Sequence, residues 1–204
     1  YDHRGSGATL APVESITYEA LVDDVFAVLD YYGVQQCTLA AMSMGAAVAF
    51  GAALRQPERF SRLIIVNGAY VWNVPEAQDD FLHGLRHAYA PTLEQFIQWC
   101  VPEPESEPIK HWGRQILSRA KPEAALALYQ ITRTLDLRAQ LPAITQPTLI
   151  LHGDADPILP LASSQWLAQN LPNAQLKIIN GAGHVPIMTR PAEVAQLIQN
   201  FLDS

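Results

Sequence analysis

The feature that most constrains this chain is an alternation: a short unbroken apolar run, a stretch with apolar residues at helical spacing, then another apolar run. The runs are Thr38 to Ala41, Leu63 to Val66, Thr148 to Leu151 and Leu176 to Ile179, and short runs of this kind read as buried strands. A strand with one face in water would alternate apolar and polar residues. These do not, which predicts parallel strands covered on both faces by helices. Before the first run, Tyr18, Leu21, Val22, Val25, Phe26, Val28 and Leu29 share one helical face, and Gly33 stands where a C-terminal cap belongs. Gly45 to Gln56 is a second helix, closed by Pro57, while Ala162 to Asn170 and Glu193 to Leu202 are two more, the last behind Pro191. Strand and helix in this order define an α/β fold around a mostly parallel sheet.

Residues 72–138 break the rhythm. Helix-like patterns cover Glu76 to Ala88, Thr92 to Val101, Ile109 to Ala120 and Pro122 to Leu135, with no strand among them. The link Pro102-Glu103-Pro104-Glu105-Ser106-Glu107-Pro108 cannot continue a helix. The expected organisation is a first part of the core at 1–71, an inserted helical cap at 72–138 and a second part of the core at 139–204. Trp72, Phe81, Tyr89, Phe96, Trp99 and Trp112 lie in that cap, where large rings either hold the helices together or meet a substrate.

Charge and cysteine content narrow the class further. The net charge is −7 with no cluster of Lys and Arg, so the basic footprint of a nucleic-acid or anionic-membrane binder is missing. No apolar run approaches the ~18 residues that span a bilayer. Cys37 and Cys100 have neither metal-ligand spacing nor the density of a disulfide scaffold, which points to a reducing, cytoplasmic compartment.

The segment Leu39-Ala40-Ala41-Met42-Ser43-Met44-Gly45-Ala46-Ala47 carries the chemistry. A strand runs into Ser43 and a helix starts behind it, so the hydroxyl is pushed out at the carboxyl edge of the sheet. Ala41 and Gly45 are small because a tight turn leaves no room for bulk. A serine here can also act as the N-cap of the helix. As a nucleophile it needs a base. Of six histidines, His184 alone sits in a Gly-rich loop, Asn180 to Pro186, directly behind a strand, and so projects from the same edge. His3, His83, His87, His111 and His152 read as surface or cap residues. The base needs an acid, and His152-Gly153-Asp154-Ala155-Asp156-Pro157 offers two carboxylates that placement alone leaves equal. Asn67, behind Leu63 to Val66, is a weaker candidate at another strand end.

These segments together resemble the α/β-hydrolase superfamily, in its capped, esterase-like branch. Asp2-His3-Arg4-Gly5-Ser6-Gly7 is similar to the family's Asp-x-Arg-Gly-x-Gly loop, Ala41 to Gly45 to its nucleophile elbow, Gly153 to Asp156 to its Gly-x-x-Asp loop, and Gly183-His184 to its final histidine loop. The order Ser, Asp, His agrees. Ala41 stands where glycine is commonest. The resemblance implies a catalytic set of Ser43, Asp156 and His184, selecting Asp156 over Asp154, with the Met44 N–H as an oxyanion donor aided by the helix N-terminus. It calls for no cofactor and no metal. A second donor comes, in this family, from a His-Gly segment after an earlier strand. That segment and the first strands of the family's sheet are expected upstream of Tyr1. A serine at the elbow, in place of the carboxylate of dehalogenases and epoxide hydrolases, implies acyl transfer to water. The expected activity is carboxylic ester hydrolysis on a small, mostly apolar molecule. Leu135 to Arg138 and Gln146 to Gly153 are similar to carboxylesterases acting on pimeloyl-carrier-protein methyl esters. The same region is similar to enol-lactonases and to C–C bond hydrolases. A non-catalytic ligand-binding relative is the alternative of another class.

Overall fold

The computed structural model describes residues 1–204. Its sheet comprises β1 (Cys37–Met42), β2 (Phe60–Val66), β3 (Thr148–Gly153) and β4 (Ala174–Ile179), side by side in that order and all parallel. Helix α1 (Tyr18–Tyr31) precedes β1, and α2 (Gly45–Arg55) joins β1 to β2. Between β2 and β3 lie α3 (Asp80–His87), α4 (Tyr89–Cys100), α5 (Glu107–Leu117) and α6 (Pro122–Thr134). Helix α7 (Leu161–Asn170) joins β3 to β4, and α8 (Pro186–Thr189) and α9 (Pro191–Leu202) close the chain. The short α8 was not foreseen, because one turn carries no periodicity to detect.

Side chains of successive strand residues point to opposite faces, and the core divides accordingly. Leu63, Ile65 and Ile150 pack with Leu21 and Val22 of α1, Ala46 to Phe50 of α2 and Leu167 of α7. Their neighbours Ile64, Val66, Leu149 and Leu151 pack with Val194 and Phe201 of α9 on the other side. Each large side chain so removed from water contributes about 1.5–3 kcal/mol. Every residue of β3 is buried, whereas β4 leaves Gln175, Lys177 and Ile178 exposed. Cover on both faces therefore holds for the inner strands and only in part for β1 and β4, which have a neighbour on one side alone.

The insertion is helical throughout and its two ends meet. Val71 bridges Asp136 in antiparallel fashion, and the Leu137 N–H donates to the Tyr70 carbonyl at 3.0 Å. The single helix expected from Glu76 is broken: a 3₁₀ turn covers Glu76–Gln78, and Asp79 then caps α3 by accepting from the Leu82 N–H at 2.9 Å. The proline-rich link ends sooner than expected. Pro108 lies inside the first turn of α5, where a missing N–H costs no hydrogen bond. Phe81 packs against Phe96, Trp99 and Tyr129, with ring centroids 5.2, 6.3 and 4.9 Å apart, and Trp72 meets Tyr129 at 5.8 Å. Trp112 stays half exposed on α5. No helix is long and apolar enough to cross a membrane.

The register brings the functional segments together. Met42 pairs with Val66, Val66 with Leu151, and Gly153 with Ile179, so the loops that follow all four strands open at one edge of the sheet.

Candidate active site

Ser43 follows β1 with φ 53°, in the left-handed region; a non-glycine residue there costs about 1–3 kcal/mol and is kept only where its surroundings enforce it. They do so here: the Ser43 N–H donates to the Val66 carbonyl at 3.1 Å, and the Ser43 carbonyl accepts from the Ala69 N–H at 3.0 Å. The hydroxyl does not cap α2, whose first turn has no side-chain cap. It lies 2.9 Å from His184 Nε2 instead. The Met44 N–H, at the start of α2, donates to no group of the protein. Gly45 departs from its expected reason: a Cβ there would meet only the Ala41 methyl, at an ordinary 3.8 Å.

His184 lies in the loop between β4 and α8 with its side chain 2% exposed, and its Nδ1 is 2.7 Å from Asp156 Oδ2. With Nδ1–H donating to the carboxylate, Nε2 is free to accept from the Ser43 hydroxyl. The Asp156 side chain is fully buried. Its Oδ2 also accepts from Asn67 Nδ2 at 2.6 Å, and its Oδ1 from the N–H groups of Ile158 and Leu159 at 2.8 and 3.2 Å. Burial pushes this carboxyl up, but the bonds from His184, Asn67 and Ile158 to its charged form outweigh burial and hold it below the usual carboxylate range. Asp154 is exposed and accepts from the Gly181 N–H at 2.6 Å. It ties the acid loop to the histidine loop without touching His184. The two loops lie so close that a Cβ on Gly153 would run into the carbonyl oxygens of Ala182 and Gly183.

Asn67, fully buried with φ 43°, takes a different part from the one weighed for it. Its amide group donates to Asp156 and its Oδ1 accepts from the Gly153 N–H at 3.3 Å, so it supports the acid and does not replace it. Only its place behind a strand could have signalled this. His152 corrects the surface reading: it is fully buried, with Nδ1 2.8 Å from Ser164 Oγ and Nε2 3.2 Å from the Leu159 carbonyl, joining the end of β3 to α7. A polar residue closing an apolar strand cannot be told from a loop residue by pattern. His83 and His87 are exposed on α3 and His111 on α5. His3 borders, with Tyr1, Val25 and Val48, a cavity of about 450 Å³ that runs along β1 to Ser43 and Met44.

A parallel sheet flanked by helices, with a serine on a strained strand-to-helix turn at its carboxyl edge, defines an α/β-hydrolase fold. The chain belongs to the Hydrolase_4 family, described as serine aminopeptidase, S33, which it matches over residues 1–189. It is 30% identical over 164 residues to a pimeloyl-[acyl-carrier protein] methyl ester esterase of Nitrosomonas europaea, an alignment covering 74% of this chain and 65% of that protein. The present chain thus spans somewhat less than two thirds of that relative. It is 27% identical to 3-oxoadipate enol-lactonase 2 of Acinetobacter baylyi, over 94% of this chain and 73% of that one. Among solved structures it is similar to a thermophilic esterase from Thermogutta terrifontis, with a TM-score of 0.88 and 28% identity, over 98% of this chain and 77% of that one.

Proposed function

We propose that this protein is a serine hydrolase that cleaves a carboxylic ester, or a similar acyl bond, of a small, mostly apolar substrate. Ser43 is its nucleophile, His184 its base and Asp156 the acid that orients the base. The observation that carries this reading is the unbroken relay from Ser43 Oγ to His184 Nε2 at 2.9 Å and from His184 Nδ1 to Asp156 at 2.7 Å. His184 takes the hydroxyl proton as Ser43 attacks the ester carbonyl. The tetrahedral intermediate places its oxyanion at the unpartnered Met44 N–H, where the start of α2 adds a favourable partial charge. His184 then hands its proton to the leaving alcohol, an acyl-enzyme on Ser43 remains, and water is activated in turn by His184 to release the acid. Asp156, held below the usual carboxylate range, stays ionised near neutral pH and stabilises the imidazolium formed at each step.

Residues 72–138 serve in this reading as a cap over the site. Support comes from the His184 N–H, which donates to the Cys100 carbonyl at the end of α4, at 3.2 Å. The insertion packs Phe81 against Phe96 and Trp99, and apolar rings of this kind suit an apolar acyl or alcohol group. A lactone is an ester closed on itself and needs no further machinery; the enol-lactonase relative, aligned over 94% of this chain, favours it as a second substrate form. Cys37 and Cys100 are free thiols, in keeping with a reducing compartment such as the cytoplasm. The test is labelling by a fluorophosphonate probe followed by turnover of p-nitrophenyl esters of graded chain length and of a simple lactone. Labelling confined to Ser43, with turnover of at least one ester, is expected. A chain that binds such esters without labelling or turnover is a ligand-binding relative, and the reading falls.

A further inference from the structure

One buried carboxylate has no part in the relay. Glu103, in the link between α4 and α5, is only 6% exposed. Its Oε1 accepts from the Gly183 N–H at 2.7 Å, across 80 positions of sequence. Its Oε2 is buried with no partner. A buried carboxylate left half unsatisfied is costly to the fold, and such a cost persists where the surrounding structure uses the group. The bond that Glu103 does make falls on the backbone N–H of Gly183, the residue that immediately precedes His184.

The contacts around this bond form a clamp. The His184 N–H donates to the Cys100 carbonyl at 3.2 Å. A Cβ on Gly183 would collide with the Pro102 ring. Residues 100, 102 and 103 of the insertion therefore lie along the histidine loop, which Asp154 also holds at Gly181, and among residues 100–103 the side chain of Glu103 alone bonds to it. On the other flank the Gly183 carbonyl meets only a long 3.5 Å contact from Asn67. The orientation of the imidazole between Ser43 and Asp156 depends on the backbone from which it springs, and a general base displaced by ~1 Å can lose about 10²-fold in rate.

We propose that Glu103 is a positioning residue for the reaction: its carboxylate fixes the Gly183 N–H and so holds His184 in line between Ser43 and Asp156. The proposal rests on the serine-hydrolase reading above. The experiment compares the wild-type chain with Glu103→Ala, Glu103→Gln and Glu103→Asp, measuring kcat and KM on one p-nitrophenyl ester and the rate of fluorophosphonate labelling. Glu103→Ala should lower kcat and labelling about 10- to 100-fold, with KM within about twofold. Glu103→Gln keeps an acceptor oxygen at the same reach and should recover turnover to within a few-fold of wild type. Glu103→Asp keeps the charge but withdraws the acceptor, so it should match the alanine variant and carries the test if that variant does not fold. Wild-type kcat in Glu103→Ala or Glu103→Asp would overturn the proposal. So would a loss confined to KM, or a glutamine variant as slow as alanine. Ser43→Ala serves as the control: if it still turns over ester, the underlying reading fails, and if it is inert while Glu103→Ala and Glu103→Asp are fully active, only the role of Glu103 is refuted.

Discussion

Ser43 occupies a backbone conformation that a serine adopts only under restraint, and its hydroxyl meets an imidazole instead of the helix end beside it. Removing that one oxygen leaves the turn and its backbone bonds in place. Ser43→Ala should therefore unfold at the wild-type temperature while ester turnover falls by more than ~10³-fold; thermal melts and steady-state rates on the same preparation check both halves. The two aspartates behind β3 make a second contrast. Asp156 bonds His184 directly, whereas Asp154 only accepts from the Gly181 N–H. Asp156→Asn, which can present its amide to His184 and favour the wrong tautomer, should slow kcat by about 10⁴-fold. Asp154→Asn keeps an acceptor oxygen for Gly181 and should stay within a few-fold of wild type. Rates ranked the other way would assign the acid to Asp154.

At the scale of elements, α3 and α6 are joined by one buried group. Asp79 caps α3, and its side chain, 2% exposed, accepts from Tyr129 Oη at 2.9 Å and from Arg133 Nε at 2.8 Å. Asp79→Ala removes the cap and leaves Arg133 with the longer 3.4 Å pairing to Glu76 and a 3.4 Å bond to the Val74 carbonyl. Breaking a buried pair from one side destabilises by about 3–5 kcal/mol, and the surviving Glu76 contact places the loss at the lower end. Urea unfolding should show it as a fall in midpoint, with Tyr129→Phe losing only about 1 kcal/mol. An unchanged midpoint in Asp79→Ala would mean that α3 and α6 do not depend on this contact. Element positions in the core were legible because apolar spacing is a local property: β3 begins at Thr148 and α7 and α9 start within two residues of their expected places. The break at Asp79 was missed although its cap on Leu82 is local; the bonds that bury the same carboxylate come from residues 50 and 54 positions away and leave no local trace.

The folding equilibrium of the whole molecule should respond to His152. Burial lowers the pKa of this imidazole, outweighing the pull of the Asp156 carboxylate. In the unfolded chain the same group titrates near ~6.5. Above that value neither state carries the proton, and the contribution to stability is complete. Below it the unfolded state binds a proton that the folded state refuses, so stability falls with pH until the lowered folded value is passed. The unfolding free energy from urea titrations should thus decline as pH drops below about 6.5, and His152→Gln should flatten that decline. A wild-type curve that is level through this range would contradict the buried, neutral histidine. The parallel register acts on the same whole-molecule scale, since it gathers the ends of four strands and with them every group of the site.

The sequence by itself determined the α/β class, the helical insertion, the strand-to-helix turn at Ser43 and the two loops that bear Asp156 and His184. Each of these is written in residues close together, where periodicity, glycine and proline act directly on the backbone. Spacing left Asp154 and Asp156 equal, and the resemblance alone favoured Asp156, which the structure sets against His184. Only the tertiary structure decided that Asn67 donates to that carboxylate from 89 positions away, that Glu103 reaches Gly183, and that His152 belongs to the core. Pattern places a side chain at the end of a strand. Which of its neighbours it bonds depends on shifts of about an ångström in how loops brought together by the register of the sheet lie against one another, and no local spacing of residues encodes them.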